Sequence, residues 1–181
     1  MSDPSIIELK DAPMAVATRL SVAEYLQRND SPACELVAGE LIAKPMPTRS
    51  HVRMQARLEE LLKRFEAQAL GETYRELTIR HEDDFRIPDL VFIAQGSRFE
   101  DDILTDPPIL CIEVVSPSQR QSELFAKCEI YHDWGVPYCW VIDPVAKSVW
   151  EYHRHSQVTS MTDDQSLTAG EIKLLVSNLF E

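Results

Sequence analysis

Residues 50–69 carry the clearest hydrophobic pattern in the chain. Met54, Leu58, Leu61, Leu62, Phe65 and Ala69 recur at helical spacing and draw one apolar stripe. Arg53, Arg57 and Arg64 fall together on another face. Upstream, Ser21-Val22-Ala23-Glu24 spells a capping box that starts a short helix through Leu26. Residues 34–37 and 40–43, joined through Ala38-Gly39, read as a tight β-hairpin that Pro45 and Pro47 end. Beyond the long helix come strands over 73–80, which alternates like a partly exposed strand, and 85–93. An acidic loop (Asp101, Asp102, Asp106) closes on Pro107-Pro108. The short apolar run 109–115 then reads as a central strand. Pro117 and Ser118 open a helix to Trp134 with Leu124, Cys128 and Tyr131 facing the sheet, and Gly135 stops it. A buried strand over 138–142 pairs with 148–153 as a hairpin, and 174–180 holds a last short element. Residues 1–17 carry little pattern and read as a loosely ordered N-terminal arm. No internal repeat or long linker divides the rest, so 18–181 reads as one α/β domain, a single sheet with helices on both faces.

A length of 181 residues fits that single domain. The 44% apolar and 27% charged shares exclude wholesale disorder. No apolar run approaches the roughly 20 residues of a membrane helix. The first residues show no signal-peptide pattern, and a cytoplasmic location is expected. A net charge of −12 argues against a general nucleic-acid coat protein. The charge is uneven, however. Residues 44–98 hold 10 basic and 9 acidic groups, whereas 99–181 hold 5 and 14, so the middle is where a phosphate is tolerated. Arg53, Arg57 and Arg64 are either a phosphate track or a solvated face with Glu60 among them. Cysteines 34, 111, 128 and 139 form no Cys-x-x-Cys pair, and Cys111 and Cys139 lie in apolar runs where packing explains them.

Two acids stand out because they are expensive where they are. Glu113 shares a strand face with Ile109, Cys111 and Val115, and Asp89 shares one with Phe85, Ile87, Val91 and Ile93. A carboxylate among such neighbours must be paired or metal-bound. Two of them on neighbouring strands suggest a shared hard dication. The alternative is an ion pair, for example Asp89 with Arg86 or with an arginine of the 50–69 helix. Lys127, fourteen residues after Glu113 on the following helix, can return over the strand end to orient a water or offset phosphate charge. Alternatively it pairs with Glu123 one turn away.

The ordered set Ile87-Pro88-Asp89-Leu90-Val91, Ile112-Glu113-Val114-Val115-Ser116-Pro117-Ser118, Glu123 to Lys127, Tyr131, Gly135-Val136-Pro137 and Trp140-Val141-Ile142-Asp143-Pro144, with Glu35–Glu40 and His51 upstream, resembles a large bacterial family described as putative restriction endonucleases. That family lies within the PD-(D/E)XK nuclease superfamily, and the resemblance covers roughly residues 20–180. It implies a mixed central β-sheet flanked by helices with a restriction-endonuclease-like core. It implies Mg²⁺ (or Mn²⁺) held by Asp89 and Glu113, with the Val114 carbonyl as a further ligand and Glu35 joining directly or through water. It implies hydrolysis of DNA phosphodiester bonds, with Lys127 positioning water or stabilising charge. His51 looks like a site-edge residue, and His51, Arg53 and Arg57 are the expected substrate contacts. The superfamily's lysine two residues after the strand acid is replaced by Val115, with Lys127 standing in from the helix. Glu123 and Cys139 also depart from the family's usual residues without touching an expected ligand.

Two other functions compete. A non-catalytic nuclease-fold scaffold, binding DNA or protein, is favoured by the −12 charge. A zinc protein could draw on His132, His153 and His155 with the cysteines, but their spacing matches no zinc pattern. The late aromatic cluster of Trp134, Trp140, Trp150, Tyr138 and Tyr152 suggests either core or a homodimer interface, and a dimer is expected.

Overall fold

Alternation along three neighbouring strands sets the architecture. In the computed structural model, which describes residues 19–31 and 33–181, Leu90 and Phe92, Leu110, Ile112 and Val114, and Trp140 and Ile142 face one side of a sheet. Val91 and Ile93, Cys111, and Cys139 and Val141 face the other. Each side is covered by one helix. The arm expected over 1–17 lies outside the described residues.

In chain order the elements are α1 (Val22–Leu26), β1 (Cys34–Val37), β2 (Glu40–Ala43), α2 (Arg49–Glu66), β3 (Glu72–Arg75), β4 (Ile79–His81), β5 (Asp84–Arg86), β6 (Leu90–Ile93), β7 (Phe99–Glu100), β8 (Ile103–Leu104), β9 (Leu110–Val114), α3 (Gln121–Asp133), β10 (Tyr138–Asp143), β11 (Ser148–His153), β12 (Gln157–Met161), β13 (Ser166–Ala169) and β14 (Ile172–Leu175). A 3₁₀ turn over Val176–Phe180 follows. The central sheet has the order β12-β11-β10-β9-β6-β3. Only β9 and β10 run parallel, joined by the α3 crossover, and the other pairs are antiparallel, so the sheet is mixed. The fold is a single α/β domain with a mixed central sheet flanked by helices.

Helix α2 forms because its apolar stripe has a surface to cover. Met54, Leu58, Leu62 and Phe65 are buried against Leu90, Phe92 and Ile112, and the β13–β14 hairpin closes the same cluster with Leu167, Ala169, Ile172 and Leu174. Thr48 caps it through a hydrogen bond from the His51 amide. On the opposite face Leu124, Cys128 and Tyr131 of α3 pack on Cys111, Cys139 and Val141. The helix starts at Gln121 rather than at Pro117, with the Glu123 carboxylate accepting from the Arg120 amide. The aromatic cluster that suggested an interface turns inward: Trp140 and Tyr152 are buried, and Trp134, Tyr138 and Trp150 pack at the edges of the two clusters.

The sheet expected from sequence is in fact two. Each of the long runs 73–80 and 85–93 is broken, and its halves serve different sheets. Glu76 takes φ +51° between β3 and β4, and Pro88, which has no N–H for a ladder, separates β5 from β6. β3 and β6 join the central sheet, while β4 and β5 join a second one of order β2-β1-β5-β4-β8-β7. The chain therefore changes sheets at Ile87-Pro88-Asp89.

Gly71 marks the tightest approach on the α2 side, just before β3. A methyl there would stand 2.2 Å from the Ile93 carbonyl oxygen and 2.4 Å from the Phe92 ring. Gly71→Ala should destabilise the protein by about 3 kcal/mol, lowering the melting temperature by roughly 10 °C. A calorimetric melt within 2 °C of wild type would show that the backbone yields.

Candidate active site

The sheet change at residues 87–89 gathers the buried charge of the molecule. Among the described residues eight polar or charged ones are buried, and seven of them, all but His132, surround this crossing: Glu35, His51, Gln55, Arg86, Asp89, Glu113 and Ser116. Six of those seven, with Lys44 and Lys127, line a cavity of about 270 Å³.

Glu113, on β9, points toward α3. Its Oε1 lies 2.8 Å from Lys127 Nζ and accepts a 2.6 Å hydrogen bond from the Tyr131 hydroxyl. Lys127 and Tyr131 are four apart on α3, so one helix face delivers both. Oε2 of Glu113 has no hydrogen-bond partner among the described residues. Lys127 Nζ also reaches Glu35 Oε1 at 3.0 Å. Glu35, on β1 of the second sheet, is held further by Arg86 (3.0 Å) and the Ile87 amide (3.0 Å). Asp89 is held from three sides. Its Oδ2 accepts from the Val114 amide at 2.8 Å and lies 3.1 Å from His51 Nε2, and its Oδ1 meets Lys44 Nζ at 3.0 Å.

These contacts set the protonation states. Burial pushes the Glu113 carboxyl up, and the charges of Asp89 and Glu35 add to this against Lys127. Burial works against the Lys127 ammonium too, but Glu113 and Glu35 more than offset it and its pKa is pushed up. Burial likewise opposes ionised Asp89, yet the His51 hydrogen bond and the Lys44 charge hold its carboxyl down at about 2. Glu35 ends lowered in the same way: burial is outweighed by Lys127, the Ile87 amide and Arg86.

The cavity wall carries five carboxylates (Glu35, Glu76, Asp89, Glu113, Glu123) against three permanent cations (Lys44, Arg86, Lys127). That formal excess of two negative charges suits one dication. Among the described residues no group of three or more histidine, cysteine, aspartate or glutamate side chains is gathered as a metal site. Two carboxylates with water filling the remaining positions is nevertheless the donor set that Mg²⁺ accepts, and nothing soft is present to favour zinc.

A family model described as "Uma2: Putative restriction endonuclease" matches residues 22–175. The chain belongs to this family. It is also similar to the crystal structure of a putative nuclease from Anabaena variabilis, at 24% identity and a TM-score of 0.79, over 89% of this chain and 97% of that one. At that identity the likeness bears on the fold. None of the curated proteins matches. Family membership supports a nuclease role.

Asp89, Glu113, Lys127, Glu35 and His51 come together in this Uma2 domain. The partners differ from the expected ones. Arg86 pairs with Glu35 and not with Asp89, and Lys127 turns inward to Glu113 and Glu35 and not outward to Glu123. His51 is buried on Asp89 and is no edge residue. Val114 meets Asp89 through its amide. Arg53 and Arg57 stand outside the cavity, in a separate groove with Lys147 and Phe180. Arg57 there donates to the Asn178 carbonyl at 2.9 Å and pairs with Glu60, while Arg64 donates to the Lys173 carbonyl, so two of the three arginines fasten α2 to the C-terminal segment. The histidines weighed for zinc lie elsewhere: both ring nitrogens of His132 meet backbone carbonyls, of Val136 and Tyr152. His155 lies beyond the end of β11, in a turn with φ +63°.

Lys44 and Gln55 were not foreseen, and Tyr131 was expected to face the sheet with no role at the site. Tyr131 was recognisable in principle as the residue one turn beyond Lys127 on the sheet-facing side. Lys44, between the last residue of β2 and Pro45, carries no such signal.

Because Asp89 has a folded pKa of about 2, below its ordinary value of 3.8, its ionised form stabilises the native state above pH 4, and the stabilisation is lost as pH falls toward 2. It amounts to about 2 kcal/mol. Asp89→Asn should therefore be less stable than wild type by at least that amount at pH 7 in chelator, with the gap narrowing below pH 4. Urea titrations across pH 2–8 would measure it, and a gap independent of pH would contradict the assignment.

Proposed function

We propose that this domain is a Mg²⁺- or Mn²⁺-dependent endonuclease that hydrolyses DNA phosphodiester bonds in the cavity at the sheet crossing. The charge balance carries the proposal: two buried carboxylates, Glu113 on β9 and Asp89 at the corner just before the adjacent β6, in a wall with an excess of two negative charges, in a member of a restriction-endonuclease family. Asp89 and Glu113 would hold the metal, with the Val114 carbonyl as a further ligand. When bound, the metal polarises a phosphoryl oxygen and makes its water more acidic.

The chain's own residues supply the rest. Tyr131 and Lys127 both engage Glu113 Oε1, which leaves Oε2 as the oxygen to coordinate. Lys127 is held protonated by its two carboxylates. It therefore acts at Nζ as a donor to the attacking water or to the phosphate charge, and not as a base. Glu35 fixes Lys127 from the second sheet. The leaving oxygen takes its proton from solvent. Arg49 and Arg53, exposed two residues to either side of the buried His51, are the arginines available to a DNA phosphate. The protein acts in the cytoplasm, and no described helix is long and apolar enough to cross a membrane.

A non-catalytic scaffold is the second reading. It is favoured by the −12 charge and by the fact that Glu35, Asp89 and Glu113 each already have a cationic partner. Plasmid cleavage in Mg²⁺ or Mn²⁺ separates the two. Asp89→Ala, Glu113→Ala and Lys127→Ala should each reduce cutting by about 100-fold or more. Equal cutting by wild type and all three variants would mark a contaminant and end the catalytic reading.

A further inference from the structure

Lys44 is the one cation in the cavity whose position conflicts with a bound metal. Asp89 Oδ2 is already engaged by the Val114 amide at 2.8 Å and by His51 at 3.1 Å. The oxygen left to coordinate is Oδ1, and Lys44 Nζ sits on it at 3.0 Å. An ammonium and a dication cannot share one carboxylate oxygen without strong repulsion at such separations.

The two lysines of the site are held differently. Lys127 is anchored on a thirteen-residue helix and clamped between two carboxylates. Lys44 meets one carboxylate and one carbonyl, of Ile87 at 2.9 Å. It follows directly on β2, the edge strand of the second sheet, every residue of which is exposed. Only one carboxylate holds its side chain, which has four methylenes of reach. It is the charge with somewhere to go.

We propose that Lys44 is a resident counter-ion that must leave Asp89 Oδ1 before a divalent cation can bind, so that Lys44 sets the metal affinity of the site. This rests on the metal-dependent reading above. In the metal-free protein Lys44 neutralises a carboxylate that would otherwise be buried against Glu113 and Glu35. In the loaded protein it gives up that role. The proposal makes Lys44 a positioning residue whose removal strengthens binding, the reverse of what loss of a structural contact does.

The test is calorimetric titration of the full chain with Mn²⁺ for wild type, Lys44→Met, Lys44→Gln and Lys44→Arg, with thermal melts to establish folding. Lys44→Met and Lys44→Gln should bind about tenfold more tightly or better, and Lys44→Arg, which restores the charge, should return toward wild type. Lys44→Gln retains a donor for the Ile87 carbonyl and carries the test if Lys44→Met does not fold. Wild type binding Mn²⁺ with the neutral variants equal or weaker would overturn this inference and leave the metal reading standing. No binding by any of the four would overturn both. Binding only by the neutral variants would support both.

Discussion

One buried ammonium holds the two halves of the fold in register. Lys127 spans Glu113 of the central sheet and Glu35 of the second sheet, at 2.8 and 3.0 Å. No backbone ladder joins the two sheets, since their strand orders share no strand. Both carboxylates are almost fully withdrawn from water, which is tolerable only beside cations: Lys127 for Glu113, and Lys127 with Arg86 for Glu35. Removing the lysine strands Glu113 and leaves Glu35 to Arg86 alone. This arrangement is a poor way to gain stability compared with an apolar contact of the same size. It makes sense as a way to keep charge concentrated at one place in an otherwise hydrophobic core.

The rest of the site follows from the chain crossing between the sheets. A proline at position 88 denies the backbone a continuous ladder, so β5 finishes in one sheet and β6 begins in the other. Asp89 lands at the corner, close enough to β9 for the Val114 amide to donate to it, and Ile87 offers its amide to Glu35 and its carbonyl to Lys44. Ile87 thus serves one carboxylate and one ammonium, and Asp89 supplies a second carboxylate two residues on. Helix α2 closes the remaining side because its apolar stripe fixes its rotation on the sheet, and that rotation carries His51 to Asp89 and Gln55 to the Asp89 carbonyl.

The parts of this arrangement that rest on strong periodicity were legible in the sequence. The stripe of α2, the apolar run of β9 and the alternation of β10 and β11 each lie within a few residues of the expected spans. The costly position of Glu113 could be read from its neighbours alone. What alternation could not show was that the runs 73–80 and 85–93 each change sheets, because a strand half in one sheet and half in another keeps its period of two through the bend. The hairpin β13–β14 escaped because its four-residue strands are too short to display a period, and β12 because its residues are mostly exposed and polar. Pairing choices were equally hidden. Nothing in sequence spacing distinguishes Glu123, one turn from Lys127, from Glu35, ninety-two residues away, and only burial decides for the distant partner.

The charge distribution bears last on how a protein of net charge −12 could accept a polyanion. A duplex does not experience the net charge at contact distance, because salt screens it beyond roughly 10 Å. What it meets is the local surface, and the N-terminal turns of α2 present exposed Arg49 and Arg53 beside the cavity wall formed by Pro47 and His51. The positive end of the helix dipole adds to them. The interior of the cavity has the opposite sign, with its excess of two negative charges. In the proposed reaction a phosphate would meet a favourable rim and an unfavourable floor, and a cation bound on that floor would turn the whole site attractive.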